Sequence, residues 1–453
     1  MSPHDLEQPV LFPALFEKPV QAVFDTSHSS SDGGAVLLHC EDQRLGLISS
    51  VASELEDIRQ SSKSHFSLED LLRQRVLAIA CGYPDCNDAG ILRSDPVMKM
   101  CSFRSPVSGS SLASQPTLSR FENSITSDEL DAMQEQMMDV VIASCRKRYG
   151  KKSRRVVIDL DPTDDPTYGS QQLTFFNGHY RNHCYLPLMG FISFDDHPEQ
   201  HMIAAILRSG LAPGTECAEE LLDCLCQKIL EHFPKSRILI RLDGAFSTPS
   251  MLEWLDRAPK VDYVVNFAKN AVLKRRAEKL MKEARRLSKK SKESEKLYGE
   301  MRYSAGSWKK KKRRIVVKAE VTRYKDREPR DNPRFVVTNL RLVPKSVYQL
   351  YCKRGDCENR IKEMKIDLES GRTSCNSFEA NQLRLTMSAM ALILIQELRA
   401  EASGKWARAT VASIRNRFLK ISARVVESTR RIVLHMPRSF GLQDVFRQLA
   451  ASP

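Results

Sequence analysis

The sequence predicts an α/β protein: a core built on a central sheet, a β-containing insertion within it, a helical amino-terminal domain before it and a helical carboxy-terminal tail after it. Three observations carry this prediction. Residues 155–267 alternate short apolar runs, each closed by turn residues, with two stretches of helical spacing. Before Arg155 the apolar residues recur at helical spacing alone. After Asn270 the alternation gives way to a strongly basic segment and then to two long helical patterns.

At 453 residues the chain exceeds the size at which a single core usually keeps growing, so several domains are expected. Residues 1–147 form the helical amino-terminal region. It holds a Ser/Gly-rich loop (Ser27 to Gly34), helical patterns near Val51 to Ile58 and Leu68 to Ala80, and a Ser-rich stretch from Ser102 to Ser119. A helix from Ser127 to Arg146 closes the region, with Ser127 as a candidate N-cap. Residues 148–270 are the first part of the core. Strands are expected at Val156 to Asp161, Cys184 to Phe194 and Met202 to Leu207, followed by a helix from Ala218 to His232. A strand Ile238 to Leu242, a helix Ser250 to Arg257 and a strand Tyr263 to Phe267 complete it. Three strands, a helix, a strand, a helix and a fifth strand are the order of a ribonuclease-H-like core. Residues 271–344 are a basic insertion, with a helix from Leu273 to Lys296, the run Lys309 to Arg314, and strands Ile315 to Thr322 and Phe335 to Leu340. Residues 345–401 return to the core with helices Lys345 to Asp367 and Asn376 to Ala400, and residues 402–453 are a basic helical tail.

Lys and Arg number 70 against 56 acidic residues, a formal charge of +14 with an isoelectric point near 9.2. That balance suits a polyanionic partner such as nucleic acid, although a basic surface that merely keeps the protein soluble has the same composition. The twelve cysteines include no Cys-x-x-Cys pair, and Cys224 and Cys226 would point to different sides of a helix, so they read as reduced structural thiols. No run of about twenty apolar residues and no basic-then-apolar leader is present, which argues against membrane insertion and Sec-type export and for a cytoplasmic protein.

Two acidic residues close predicted strands: Asp161 in Asp159-Leu-Asp161-Pro-Thr163, and Asp243 in Ile238-Leu-Ile-Arg-Leu-Asp243-Gly244. Strand ends place side chains at the edge of a sheet where ligands gather, and carboxylates brought together there repel unless a cation lies between them. Hard oxygen donors of this kind suit Mg²⁺. In Tyr351-Cys-Lys-Arg354-Gly-Asp-Cys-Glu358-Asn-Arg-Ile-Lys-Glu-Met-Lys365, the steps of three, four and seven residues bring Tyr351, Arg354, Glu358 and Lys365 within about 60° on one helical face. Taken singly, a strand-end Asp is more often a turn former or helix cap than a metal ligand, and Arg354 with Glu358 is equally an ordinary exposed ion pair. Their conjunction in a basic protein is what points to chemistry.

The spacing Y-(2)-R-(3)-E-(6)-K, filled by Tyr351, Arg354, Glu358 and Lys365, resembles the signature of bacterial insertion-sequence transposases with an Asp/Asp/Glu catalytic domain. Asp159 to Gln171, Arg241 to Phe246, Arg354-Gly-x-x-Glu358-Asn-Arg-Ile-Lys-Glu and Leu118-Ser-Arg120-Phe-Glu122-Asn123 further resemble transposase DDE domain group 1. The resemblance implies that Asp161, Asp243 and Glu358 are catalytic and bind two Mg²⁺ ions, for which Mn²⁺ can substitute. One ion would activate water or a 3′-hydroxyl and the other would stabilise the leaving 3′-oxygen. Preferring Asp161 to Asp159 rests on the family's Asp-x-Thr pattern. Tyr351, Arg354 and Lys365, with Arg360 and Lys362 beside them, would hold the phosphates of double-stranded DNA, both transposon ends and target.

In related transposases an aromatic residue of a β-rich insertion holds a flipped base. Trp308 stands in the corresponding region, where packing beside strands is its alternative role. Lys310, Lys311 and Arg313, from the run Lys309 to Arg314, are candidates for backbone contact or for a solvated turn. His179 and His183 are assigned to a loop and left out of the metal site. The implied activity is cut-and-paste transposition by a homodimer or larger assembly, in a bacterial cytoplasm and on the nucleoid when bound to DNA, with the amino-terminal helices reading the terminal inverted repeats. A structure-specific nuclease of the same fold and a captured transposase acting as a DNA-binding regulator are the alternatives.

Overall fold

The alternating segment from Arg155 to Phe267 forms the middle of a nine-stranded mixed sheet in the computed structural model, which describes residues 10–12, 15–60, 64–150, 153–308, 311–325 and 327–451. The strands lie in the order Glu295–Tyr303, Arg313–Thr322, Arg334–Thr338, Val261–Phe267, Arg237–Leu242, Arg155–Pro162, Leu188–Phe194 and His201–Ile206, with the short Arg330–Asp331 on Arg313–Thr322. Arg237–Leu242 runs parallel to both its neighbours, and every other pair is antiparallel. The helices Ala218–His232 and Pro249–Arg257 supply the crossovers that parallel neighbours require. The strands within 271–344 continue this same sheet through Arg334–Thr338 and Val261–Phe267.

The central strands read as continuous apolar runs because both faces of the sheet are covered. All seven residues of Leu188–Phe194 are buried, as are the six inner residues of Arg155–Pro162. On one face Val157, Leu239, Val264, Val316 and Val336 pack against Val347 and Tyr348 of the helix Pro344–Cys352. Against the other lie Ser127–Tyr149 and Phe378–Glu401. The helix Phe378–Glu401 is buried on nearly every side, between the sheet and the amino-terminal helices Ala35–Leu45, Leu68–Ala80 and Ser127–Tyr149, its run Met387 to Ile395 almost wholly apolar. Each Leu or Ile it buries contributes roughly 1.5–3 kcal/mol. Buried ion pairs tie the same elements together. Glu122, 1 % exposed, accepts from Arg75 Nε at 2.7 Å and Arg384 Nε at 2.9 Å, joining helices far apart in sequence. Among the described residues no helix is long and apolar enough to cross a membrane.

Several expectations are corrected. Val51 to Ile58 is not a helix: the helix Leu47–Ala52 ends there, and Ile58 is 84 % exposed with no surface to pack on. The cap of Ser127–Tyr149 is Thr126, whose hydroxyl accepts from Glu129 N while Glu129 accepts from Thr126 N, a capping box. The helix Gln115–Glu122 begins inside the Ser-rich stretch, and Cys184 to Phe194 is split at Pro187 into Asn182–Tyr185, in a separate small sheet, and Leu188–Phe194. His183 accordingly lies on a strand, while His179 is in a turn. The basic helix stops at Ser291, and Glu295–Tyr303 is a strand paired over nine residues with Arg313–Thr322. Lys345 to Asp367 is three segments, Pro344–Cys352, Gly355–Lys362 and a π-turn Glu363–Asp367. The tail is not wholly helical. Ala423–Glu427 pairs with Ile432–His435 and with Ser29–Ser30 before the final helix Gln443–Ala451.

Candidate functional site

The ends of two adjacent parallel strands, Arg155–Pro162 and Arg237–Leu242, bring Asp161 and Asp243 to the same edge of the sheet. Asp159, two residues before Asp161, is held differently. It is 1 % exposed and receives Arg241 Nε at 2.7 Å and Nη2 at 2.5 Å, and Gln200 Nε2 at 3.2 Å. Arg241 also donates to the Leu350 carbonyl at 3.1 Å, so this pair fastens the helix Pro344–Cys352 to the sheet. Asp159 is thereby committed to architecture, and Asp161 is the carboxylate turned to the edge.

Asp161 makes its main contact with the next segment. Arg354 Nη1 lies 2.9 Å from Asp161 Oδ2, and Arg354 Nη2 lies 3.0 Å from Glu358 Oε1. The guanidinium therefore bridges two of the three predicted carboxylates. Arg354 sits at the start of Gly355–Lys362, one helical turn before Glu358. Cys357 Sγ donates to Asp161 Oδ2 at 3.6 Å. Burial pushes the Asp161 carboxyl up to about 6. Arg354 opposes that rise, and the like charges of Asp243 and Glu358 add to it.

Asp243 acts partly as a cap, accepting from Ala245 N at 2.9 Å at the start of a 3-10 turn. Burial raises its carboxyl, against the backbone N–H of Ala245 and the charge of Arg354. Glu358 is the most exposed of the three, its side chain about half accessible. Among the described residues no three His, Cys, Asp or Glu side chains are drawn together as a preformed metal cluster, and Arg354 supplies the positive charge beside Asp161 and Glu358. The donor set still fits a divalent cation. It consists of hard carboxylate oxygens from two adjacent strand ends and the segment facing them.

The other predicted residues divide. Tyr351 is half-buried, its ring 6.0 Å from Tyr348, and its carbonyl accepts from Arg354 N at 3.0 Å. Lys365 donates to Asp164 Oδ1 at 2.7 Å and to the Asp164 carbonyl at 2.8 Å, tying the π-turn to the loop that follows Asp161. Arg360 is paired with Glu363 at 2.9 Å and lines a separate cavity of about 290 Å³ beside His201 and Arg399, whereas Lys362 is exposed. Lys311 is exposed and pairs with Asp256 at 2.8 Å. Lys310 lies outside the described residues.

Two of these expectations are overturned by burial. Trp308 is 2 % exposed, packed against Phe267 and Tyr303, so its faces are closed to a base. Arg313, 3 % exposed, lies over the Trp308 ring at 4.8 Å and pairs with Asp256 at 2.8 Å, so it serves packing rather than phosphate contact.

Sequence reasoning missed Arg208 and Tyr180. Arg208 is buried and donates to the carbonyls of Leu186, Gly214 and Glu216, holding the loops around Asp243, whose charge it feels. Tyr180 stands on a hairpin within electrostatic reach of Asp164, Asp161 and Asp243, and burial is the main reason its phenol is raised. The Asn-Gly turn beside Tyr180 was the only available signal, and it marks a hairpin without saying where the hairpin packs.

The family model described as transposase DDE domain group 1 matches residues 12–452. No curated protein matches the sequence significantly.

Proposed function

We propose, from the premise that this chain belongs to the transposase DDE domain group 1 family, that it binds the terminal inverted repeats of an insertion sequence, cleaves DNA there and joins the freed 3′ ends to target DNA. The observation that carries the reading is Arg354 in ion pairs with both Asp161 and Glu358, beside Asp243 on the neighbouring parallel strand. Asp161, Asp243 and Glu358 are the residues that would hold two Mg²⁺ or Mn²⁺ ions. When bound, such ions supply activation of the attacking oxygen and charge stabilisation at the leaving 3′-oxygen. Arg354 would hold a DNA phosphate bidentately, with Tyr351 packed beside it. Lys365 contributes a further positive charge on the same side, and the Asp159–Arg241 pair keeps the segment carrying Arg354 in register with the strands.

The strand and helix order around this site supports a ribonuclease-H-like core. Three antiparallel strands lead through a helix to a parallel strand, and a second helix leads to another. Residues 148–270 and 345–401 would make up that core, 271–344 its basic insertion, and 402–453 a basic tail. Residues 1–147 would read the terminal repeats, because specificity needs an element that reaches base edges. A dimer or larger assembly follows from the need to hold two ends at once.

The test is Mg²⁺-dependent cleavage and strand transfer on labelled DNA that carries the gene's own flanking ends, with Glu358→Ala as the comparison. Joined products from the natural protein and none from the variant are expected. Cleavage without joining would instead make it a nuclease, and tight binding with no metal-dependent product from either protein would make it a regulator.

A further inference from the structure

We propose that the hairpin Phe175–Tyr185, together with Tyr168, is a base-stacking platform for unpaired nucleotides of a DNA end held at the carboxylates; this rests on the transposase reading. Tyr168, two residues past the first strand of a small three-stranded sheet, is 94 % exposed, and Phe176 and Phe175, on alternate faces of its strand Phe175–Asn177, are 55 % and 40 % exposed. Exposed rings commonly mark a loose loop, and this sheet is firmly held. Thr167 N donates to the His183 carbonyl at 2.9 Å, Asn177 Nδ2 to the Gly210 carbonyl at 3.0 Å, and the Tyr185 hydroxyl to the Gln172 carbonyl at 2.6 Å. Gln172 N in turn donates to the Asn376 carbonyl at 3.0 Å, fixing the sheet to the loop that precedes the helix Phe378–Glu401. At Gly210 a Cβ would lie 2.2 Å from the Cys184 carbonyl oxygen, so only glycine allows this close approach.

The platform adjoins the candidate site. Its first strand, Asp165–Pro166, begins four residues after Asp161, Lys365 grips the preceding Asp164, and Tyr180 lies within reach of the charges on Asp161 and Asp243. Charge selects the partner. From residue 166 to residue 194 there is no Asp or Glu, while Arg181, His179 and His183 are exposed. Aromatic faces beside the Arg181 guanidinium, with no acidic residue within the hairpin, suit single-stranded nucleic acid, whose bases all present a π-face beside a phosphate chain. Trp308, the aromatic residue expected for this work, is buried and unavailable.

The experiment compares fluorescence anisotropy of the full-length protein on two versions of the element's end, a blunt duplex and the same duplex with a short single-stranded 5′ extension. The natural protein is expected to bind the extended end about tenfold more tightly, and Phe176→Ala combined with Tyr168→Ala to lose that preference while keeping blunt-end affinity within about twofold. Should the double variant fail to fold, Tyr168→Ala alone decides, because a nearly fully exposed ring can be removed without disturbing the core; its preference must fall at least about twofold. An unchanged preference overturns the platform. So does a shift from dimer to monomer in sedimentation with the preference retained, which would assign the rings to a second copy of the chain. Strand transfer is measured on the same DNA. Joining without discrimination between the ends sinks the platform alone, whereas discrimination without joining sinks the transposase reading and leaves the platform standing.

Discussion

Replacing Asp161 with asparagine is expected to stabilise the metal-free protein while abolishing strand transfer. The Asp161 carboxyl is raised from 3.8 to about 6, chiefly by burial. A raised carboxyl means that the folded state holds its proton more tightly than the unfolded chain does. Stability therefore falls as pH rises through the interval from about 4 to about 6 and is lowest, from this group, above it. Two units at ~1.4 kcal/mol each put the ceiling near 3 kcal/mol, and with a side chain only 12 % exposed solvent screening takes little from it. That rise is already net of the ion pair with Arg354 at 2.9 Å, and asparagine still buries a polar amide beside a guanidinium that keeps Glu358 at 3.0 Å, so a gain below the ceiling, roughly 1–2 kcal/mol, is expected. Over 453 residues each kcal/mol moves Tm by about 1 °C. Differential scanning fluorimetry in EDTA should show Asp161→Asn melting a degree or two higher at pH 7.5, the gain halving by about pH 5 and nearly gone by about pH 4. Added Mg²⁺ should raise the natural protein and leave the variant unmoved. A variant that melts lower at every pH would refute the reasoning, because the Arg354 ion pair would then outweigh the burial of the charge.

Glu122→Ala removes the acid shared by Arg75 and Arg384 and leaves one buried and one half-buried cation without a carboxylate, so urea unfolding should show a loss of about 3–5 kcal/mol. Trp308→Phe keeps an apolar ring in a closed site and is expected to leave strand-transfer yield within about twofold, whereas a base-stacking role would lower it by tenfold or more. Lys365→Ala should weaken end binding and reduce the slope of log K against log salt by about 1, read from titrations at several salt concentrations; an unchanged slope would mean that Lys365 serves only Asp164.

What the amino-acid sequence determined by itself was whatever depends on local periodicity and on residues that end elements. The helices Leu68–Ala80 and Ala218–His232 and the central strands follow from spacing that needs no partner to be read, and Asp161 and Asp243 from their place where apolar runs stop. Segments whose state is set by pairing were illegible. Glu295–Tyr303 is rich in Glu, Lys, Leu and Met, good helix formers, and becomes a strand because Arg313–Thr322 offers nine residues of ladder. The basic tail forms a hairpin, Ala423–Glu427 with Ile432–His435, and Ser29–Ser30, almost four hundred residues earlier, extends it by a third strand. At the site, the spacing of Tyr351, Arg354, Glu358 and Lys365 marked one polar face, but only the tertiary structure broke the helix before Gly355 and set Arg354 against both Asp161 and Glu358. Separating Asp159 from Asp161 likewise required Arg241, and excluding Trp308 required Phe267 and Tyr303. The physical reason is common to all of these: periodicity is written along the chain, whereas burial and charge pairing depend on which distant residues arrive in space.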